Sequence, residues 1–100
     1  MNYRNRRLLD LAYELPCLVQ LPGICEGGHG EPAHSNQARH GKGGAMKAHD
    51  VFFAAACRSC HRELDQGGSM TREEKFEVWQ RAHEATLLAM FRNDLITVAI

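Results

Sequence analysis

A chain of 100 residues is the size of one domain, and so short a chain buries too little surface to rely on a hydrophobic core alone. Twelve basic residues balance twelve acidic ones, which excludes a general cationic coat for nucleic acid. No apolar run approaches the length of a bilayer span, and the arginine-led start is interrupted by Asp10 and Glu14 with no small-x-small cleavage site behind it, so a cytoplasmic protein with no membrane partner is expected.

Residues 1–15 read as a short helix, because Leu8, Leu11, Ala12 and Leu15 share a face. Arg4, Arg6 and Arg7 sit unfavourably at its start, and Pro16 ends it. The alternation over 17–21 predicts a short strand closed by the Pro22-Gly23 turn, and the three glycines within 26–32 predict a loop. From Ala33 to Ala56 a long-looped hairpin is expected. Its second strand would be carried by Val51, Phe52 and Phe53 with the small alanines after them, and its middle, Gly41-Lys42-Gly43-Gly44, disfavours regular helix.

Residues 57–66 predict a helix that stops at Gly67-Gly68. Thr71-Arg72-Glu73-Glu74 matches a capping box and opens the clearest helix of the chain, over about 71–92. Phe76, Trp79, His83, Leu87 and Met90 supply its apolar stripe, with His83 expected as a hydrogen-bonded core residue. The expectation is a single α+β domain over 1–100, with a core over 17–68 and the long C-terminal helix beside it.

Reduced thiols in the cytoplasm bind metal rather than pair, and Cys57-Arg58-Ser59-Cys60 has the Cys-x2-Cys spacing that presents two thiolates to one tetrahedral zinc from a turn entering a helix. Cys17 and Cys25, around the Pro-Gly turn, would complete an all-cysteine structural zinc site. Two other readings stand beside it: free buried cysteines, or a Cys-x2-Cys redox pair, although no βαβ pattern surrounds this one. His61 follows the second cysteine of the pair and Asp65 lies four residues on, so a helix places imidazole and carboxylate on one face. That nitrogen and oxygen set suits a divalent ion such as magnesium, manganese, nickel or zinc. His61 could instead serve as a spare ligand of the structural zinc.

The combination of Ala33-His34, a glycine-rich basic loop, Asp50 and Cys57-Arg58-Ser59-Cys60-His61 resembles the HNH, or ββα-metal, nucleases. With Cys17 and Cys25 ahead of it and Asp65 behind, the stretch over 17–66 looks like the small lambdoid-prophage nucleases related to YbcO. The resemblance implies a ββα-metal core in which a hairpin and a helix grip one divalent ion. It implies His34 as general base, His61 and Asp65 as ligands of the catalytic metal, and Asp50 as the group that orients the base. His49 competes with Asp50 for that last role. Ala33 stands where such nucleases often carry a further ligand, and His29 or His40 is the candidate to fill the gap.

From Ala33 to His49 there is no acidic residue, and Arg39, Lys42 and Lys47 are the candidate phosphate contacts of that loop. An ordinary solvated loop is the alternative. Two functions follow: a metal-dependent endonuclease that hydrolyses DNA phosphodiesters, acting alone or as a homodimer, or a non-catalytic zinc module that binds nucleic acid or a protein.

Overall fold

The structure, a computed structural model, describes residues 1–99. Helix α1 spans Arg6–Asp10, capped where the Asn5 side chain accepts from the Leu8 N–H at 3.0 Å, and a 3-10 turn over Leu11–Glu14 continues it. Of the expected face, Ala12 and Leu15 are buried while Leu8 and Leu11 are half-buried, and Leu9, outside that face, is buried with them.

The strand expected over 17–21 does not form. Gln20 takes a left-handed conformation at φ 55°, which breaks the extended run, and Gly23 follows at φ 76° in the turn. The alternation is real all the same, since Cys17, Val19 and Leu21 are buried. The segment is held by single hydrogen bonds, from the Cys17 N–H to the Gly28 carbonyl at 3.0 Å and from the Leu18 N–H to the Ala55 carbonyl at 2.9 Å.

Strand β1, Glu31–His34, pairs antiparallel with β2, Phe53–Ala56, in the register Glu31↔Ala56 and His34↔Phe53. The long-looped hairpin is therefore present, with shifted ends. β1 takes in residues 31 and 32, where a loop was expected, and β2 is built from the alanine run, with Val51 and Phe52 in the turn before it. Small residues are needed there because both faces are covered: Ala54 and Ala56 pack into one apolar cluster with Val19, Leu64 and Trp79, while Phe53 and Ala55 pack into another with Leu9 and Met90. Gly30 lies so close that a Cβ on it would stand 2.9 Å from the Ala55 Cβ.

Helix α2 runs over Arg58–Gln66 directly from β2, with the Cys57 sulfur accepting from the Cys60 N–H at its start. Helix α3, Arg72–Arg92, opens on the expected capping box: Thr71 Oγ1 accepts from the Glu74 N–H and the Glu74 carboxylate accepts from the Thr71 N–H. Its buried residues are Trp79, Ala82, Thr86 and Met90, so the stripe is rotated from the expected one and Leu87 is 43 % exposed. Thr86 displaces it because its hydroxyl bonds inward, accepting from the Ala55 N–H at 2.9 Å and donating to the Ala82 carbonyl at 2.7 Å. His83 makes the hydrogen bond expected of it, donating through Nδ1 to the Phe53 carbonyl at 2.7 Å, but it is half-buried rather than in the core. Among the described residues no helix is long and apolar enough to cross a membrane.

Candidate functional site

The irregular segment after Pro16, the turn at Pro22-Gly23 and the start of α2 bring the four cysteines into one cluster. The sulfurs of Cys17, Cys25, Cys57 and Cys60 all lie within 4.8 Å of one another, with Cys25 and Cys57 at 3.9 Å. A tetrahedral zinc with Zn–S bonds of about 2.3 Å has sulfur–sulfur edges of about 3.8 Å, so the geometry fits. Backbone donors suit thiolates here: the Gly27 N–H points at the Cys25 sulfur at 3.3 Å and the Cys60 N–H at that of Cys57 at 3.5 Å. Burial opposes ionisation of Cys57, but N–H groups and neighbouring thiols outweigh it and bring this thiol down to about 7. Burial pushes the Cys60 thiol up. The cluster can thus hold a structural metal such as zinc, and His61 plays no part in it.

His61 turns instead toward two carboxylates. Its Nδ1 donates to Glu31 Oε2 at 2.7 Å, and its Nε2 faces Asp65 Oδ2, one helical turn along α2, at 3.2 Å. Adjacent ligands of a six-coordinate divalent ion at roughly 2.1 Å stand about 3 Å apart, so this nitrogen and oxygen are spaced to share one. The Asp65 hydrogen bond raises His61 above the ordinary imidazole value; burial opposes this and Glu31 adds to it. Burial works against the charge on Asp65, yet hydrogen bonds from His61 and Asn36, with the charges of His61 and Lys42, hold it below the usual carboxylate range.

His34, at the end of β1, meets Asp50: Nε2 lies 2.8 Å from Asp50 Oδ1. Asp50 is buried and also accepts from Arg4 Nη1 at 3.2 Å and from the Asn5 N–H at 2.6 Å. Burial alone would raise its pKa, but the His34 and Asn5 hydrogen bonds and the charges of His34 and Arg4 lower it instead. A carboxylate only accepts, so His34 must donate from Nε2, which leaves Nδ1 as the basic nitrogen of the neutral ring. Asp50 thus meets the ring of His34 directly. His49 does not: its Nδ1 accepts from the Tyr3 N–H at 2.9 Å and so ties down the N-terminal segment.

His34 and His61 line one cavity of about 280 Å³ together with Asp65, Asn36, Lys42 and Lys47. Arg39 is absent from its lining, contrary to expectation. Its guanidinium bonds Gln37 Oε1 at 2.7 Å and Gln80 Oε1 of α3 at 3.4 Å, which turns it away from the two histidines. The expectation that His29 or His40 supplies a further ligand also fails. His40 is buried, receives the Ser35 hydroxyl at 2.6 Å and stacks on Phe52 at 4.3 Å, and burial first, then the Arg39 and His83 charges, lower its pKa. His29 donates to the Gly30 carbonyl. Ala33 faces the core at 1 % exposure, on the side of β1 away from His34, so a ligand there would point into the apolar cluster.

Four residues of the site escape sequence reasoning: Glu31 beside His61, Asn36 donating to Asp65 at 2.9 Å, and Arg4 and Asn5 around Asp50. Only the β1–β2 register and the course of the N-terminal segment bring them in, and local spacing carries neither. Asn2 and Arg4 also bind carbonyls of Gly41, Lys47 and Ala48, strapping the basic loop over the cavity.

Fold and site together define a small α+β protein with a two-stranded antiparallel sheet, three helices and a four-cysteine cluster able to hold zinc. No family model matches the chain, and no curated protein matches it. Its fold is similar to that of a solved protein from Escherichia coli str. K-12 substr. MG1655, provisionally named a bacteriophage protein. The TM-score is 0.61 and the identity 22 %, over 85 % of this chain and 96 % of the other.

Proposed function

We propose that this protein is a metal-dependent endonuclease of the ββα-metal kind that hydrolyses DNA phosphodiesters. The observation that carries the reading is the shared cavity, whose lining holds His34 bonded to Asp50, the His61–Asp65 pair, and Lys42 and Lys47. The order of elements, β1, β2 and then α2, supports the reading, with His34 on the hairpin and His61 and Asp65 on the helix that follows it. His34 Nδ1 takes the proton from the attacking water, while Asp50 holds the ring and stabilises the imidazolium that forms. Lys42 and Lys47 bring the phosphate in and oppose its charge. His61 and Asp65 would hold a divalent ion such as magnesium, manganese, nickel or zinc, which when bound supplies charge stabilisation for the scissile phosphate and the leaving oxygen. Glu31 keeps His61 aimed. The fold neighbour's name adds a phage connection to this reading.

The test is plasmid nicking by metal-stripped protein resupplied with each divalent ion, beside His34→Ala. Loss of a general base costs roughly 10²- to 10⁴-fold, so nicking should fall by that much while the fold persists. Equal nicking by the variant would refute the assigned base. Absence of nicking on every substrate would leave a zinc-stabilised binding module.

A further inference from the structure

Beside the cavity of His34 and His61 lies a second one of about 260 Å³, and the two share Asn36 and Asp65. Its floor is Trp79 and its wall is Phe76 with the Arg72 guanidinium 5.2 Å from the ring centroid. Lys75, whose ammonium also donates to the Gly67 carbonyl, and Asn36 and Gln37 complete the polar part of the lining. Resting on the nuclease reading, we propose that this second cavity receives an unpaired base of the DNA strand next to the scissile phosphate, making single-stranded DNA the favoured substrate.

The chemistry of the lining argues for a base rather than for more backbone. A nucleobase has apolar faces and a hydrogen-bonding edge, and it is carried on an anionic chain. Arginine planes and aromatic rings take the faces of unpaired bases. With the Asn36 NH2 bonded to Asp65 and the Gln37 oxygen to Arg39, the Asn36 oxygen and the Gln37 NH2 are the acceptor and donor that read an edge. Arg72 and Lys75, both in the lining, supply positive charge for the phosphates that flank such a base. Trp79 itself is only 4 % exposed, its indole N–H is spent on the Ala33 carbonyl at 2.9 Å and it stacks with His83. It is therefore floor and reporter, with the stacking left to Arg72 and Phe76. A base inside a duplex is paired and stacked, and reaches such a recess only by leaving the helix at a cost of a few kcal/mol. An already unpaired strand escapes that cost.

The experiment uses the full chain carrying His34→Ala, so that the strand is not consumed. It is titrated in magnesium with a single-stranded oligonucleotide, the matching duplex and the same strand carrying abasic positions. Trp79, the single tryptophan, reports on the cavity floor. The intact strand should bind more tightly than the other two and alone shift Trp79 emission. Phe76→Ala and the exposed Arg72→Ala should each weaken strand binding roughly 5- to 150-fold, the range of one base–aromatic stack. Equal binding of intact and abasic strands, or undiminished affinity in Arg72→Ala, overturns the proposal. Cleavage by the unaltered chain is scored apart. A protein that cuts strand and duplex alike, with Arg72→Ala indistinguishable, loses the base cavity and keeps the nuclease. One that binds the intact strand with the Trp79 response but cuts nothing keeps the cavity and loses the nuclease.

Discussion

Glu31 accepts a hydrogen bond from His61 Nδ1 at 2.7 Å, across the step from the first strand to the helix that follows the second. This contact fixes the ring so that Nε2 points at Asp65; under the proposed metal role it places a carboxylate behind the ligand imidazole, the arrangement that sets tautomer and ligand strength in metal sites. Glu31→Ala should therefore weaken divalent-ion binding at His61 by roughly 10- to 100-fold with little change in fold. Titration of nicking activity and of bound manganese checks this, and unchanged affinity would remove Glu31 from the site.

Asp50 is a second lever, because three donors converge on one buried carboxylate. Asp50→Ala strands His34, the Asn5 N–H and Arg4 together, and should cost about 3 kcal/mol of stability besides the activity, by the measure of broken buried pairs. Asp50→Asn keeps an acceptor oxygen and should cost less. Denaturant unfolding of the three proteins measures the order.

The same carboxyl sets a pH dependence. Its pKa in the fold is below its unfolded value of about 3.9, so its stabilisation is complete above that value and is lost as pH falls toward and through the folded one. Unfolding followed from pH 6 to pH 2 should steepen below about 4 in the natural chain. In Asp50→Asn the slope should be smaller, and equal slopes would assign the acid sensitivity to other groups.

The cysteine cluster predicts one tightly held zinc per chain by mass spectrometry of the native protein. Each kcal/mol is worth roughly 4–8 °C in a domain of this size, so stripping the metal or making Cys60→Ser should lower Tm by at least about 15 °C. A chain that holds no metal, or melts unchanged with chelator, would return the cysteines to the apolar core.

Thr86→Val is a test of the fold alone. It keeps the shape but leaves the Ala55 N–H buried without its acceptor, at a cost of about 2 kcal/mol. Thr86→Ser, which retains the hydroxyl, should restore part of that.

Local chemistry carried much of this protein. The capping box at Thr71, the glycine stop at Gly67 and the Cys-x2-Cys entry into α2 each act over a few residues, and each lies where the spacing predicts. Asp50 reaching His34 followed from a motif rather than a period, and it too is present. What failed depends on partners remote in sequence. Cys17–Leu21 alternates like a strand and bonds β2 through Leu18 and Ala55, yet the left-handed Gln20 breaks the extended run, and Leu87 loses the inner face of α3 to a threonine whose partner lies 31 residues away. Arg39 was grouped with Lys42 and Lys47 by charge, but the 3-10 turn over Ala38–His40 aims it at α3.

The strap from the N-terminal segment holds the loop over 41–48 chiefly by main-chain oxygens, those of Gly41, Lys47 and Ala48. Such anchorage is blind to what the loop's side chains are. Residues that would meet a ligand there can be exchanged without unfastening the segment that carries them, so the loop is where recognition can diverge or be re-engineered while His34 and its carboxylate stay in place.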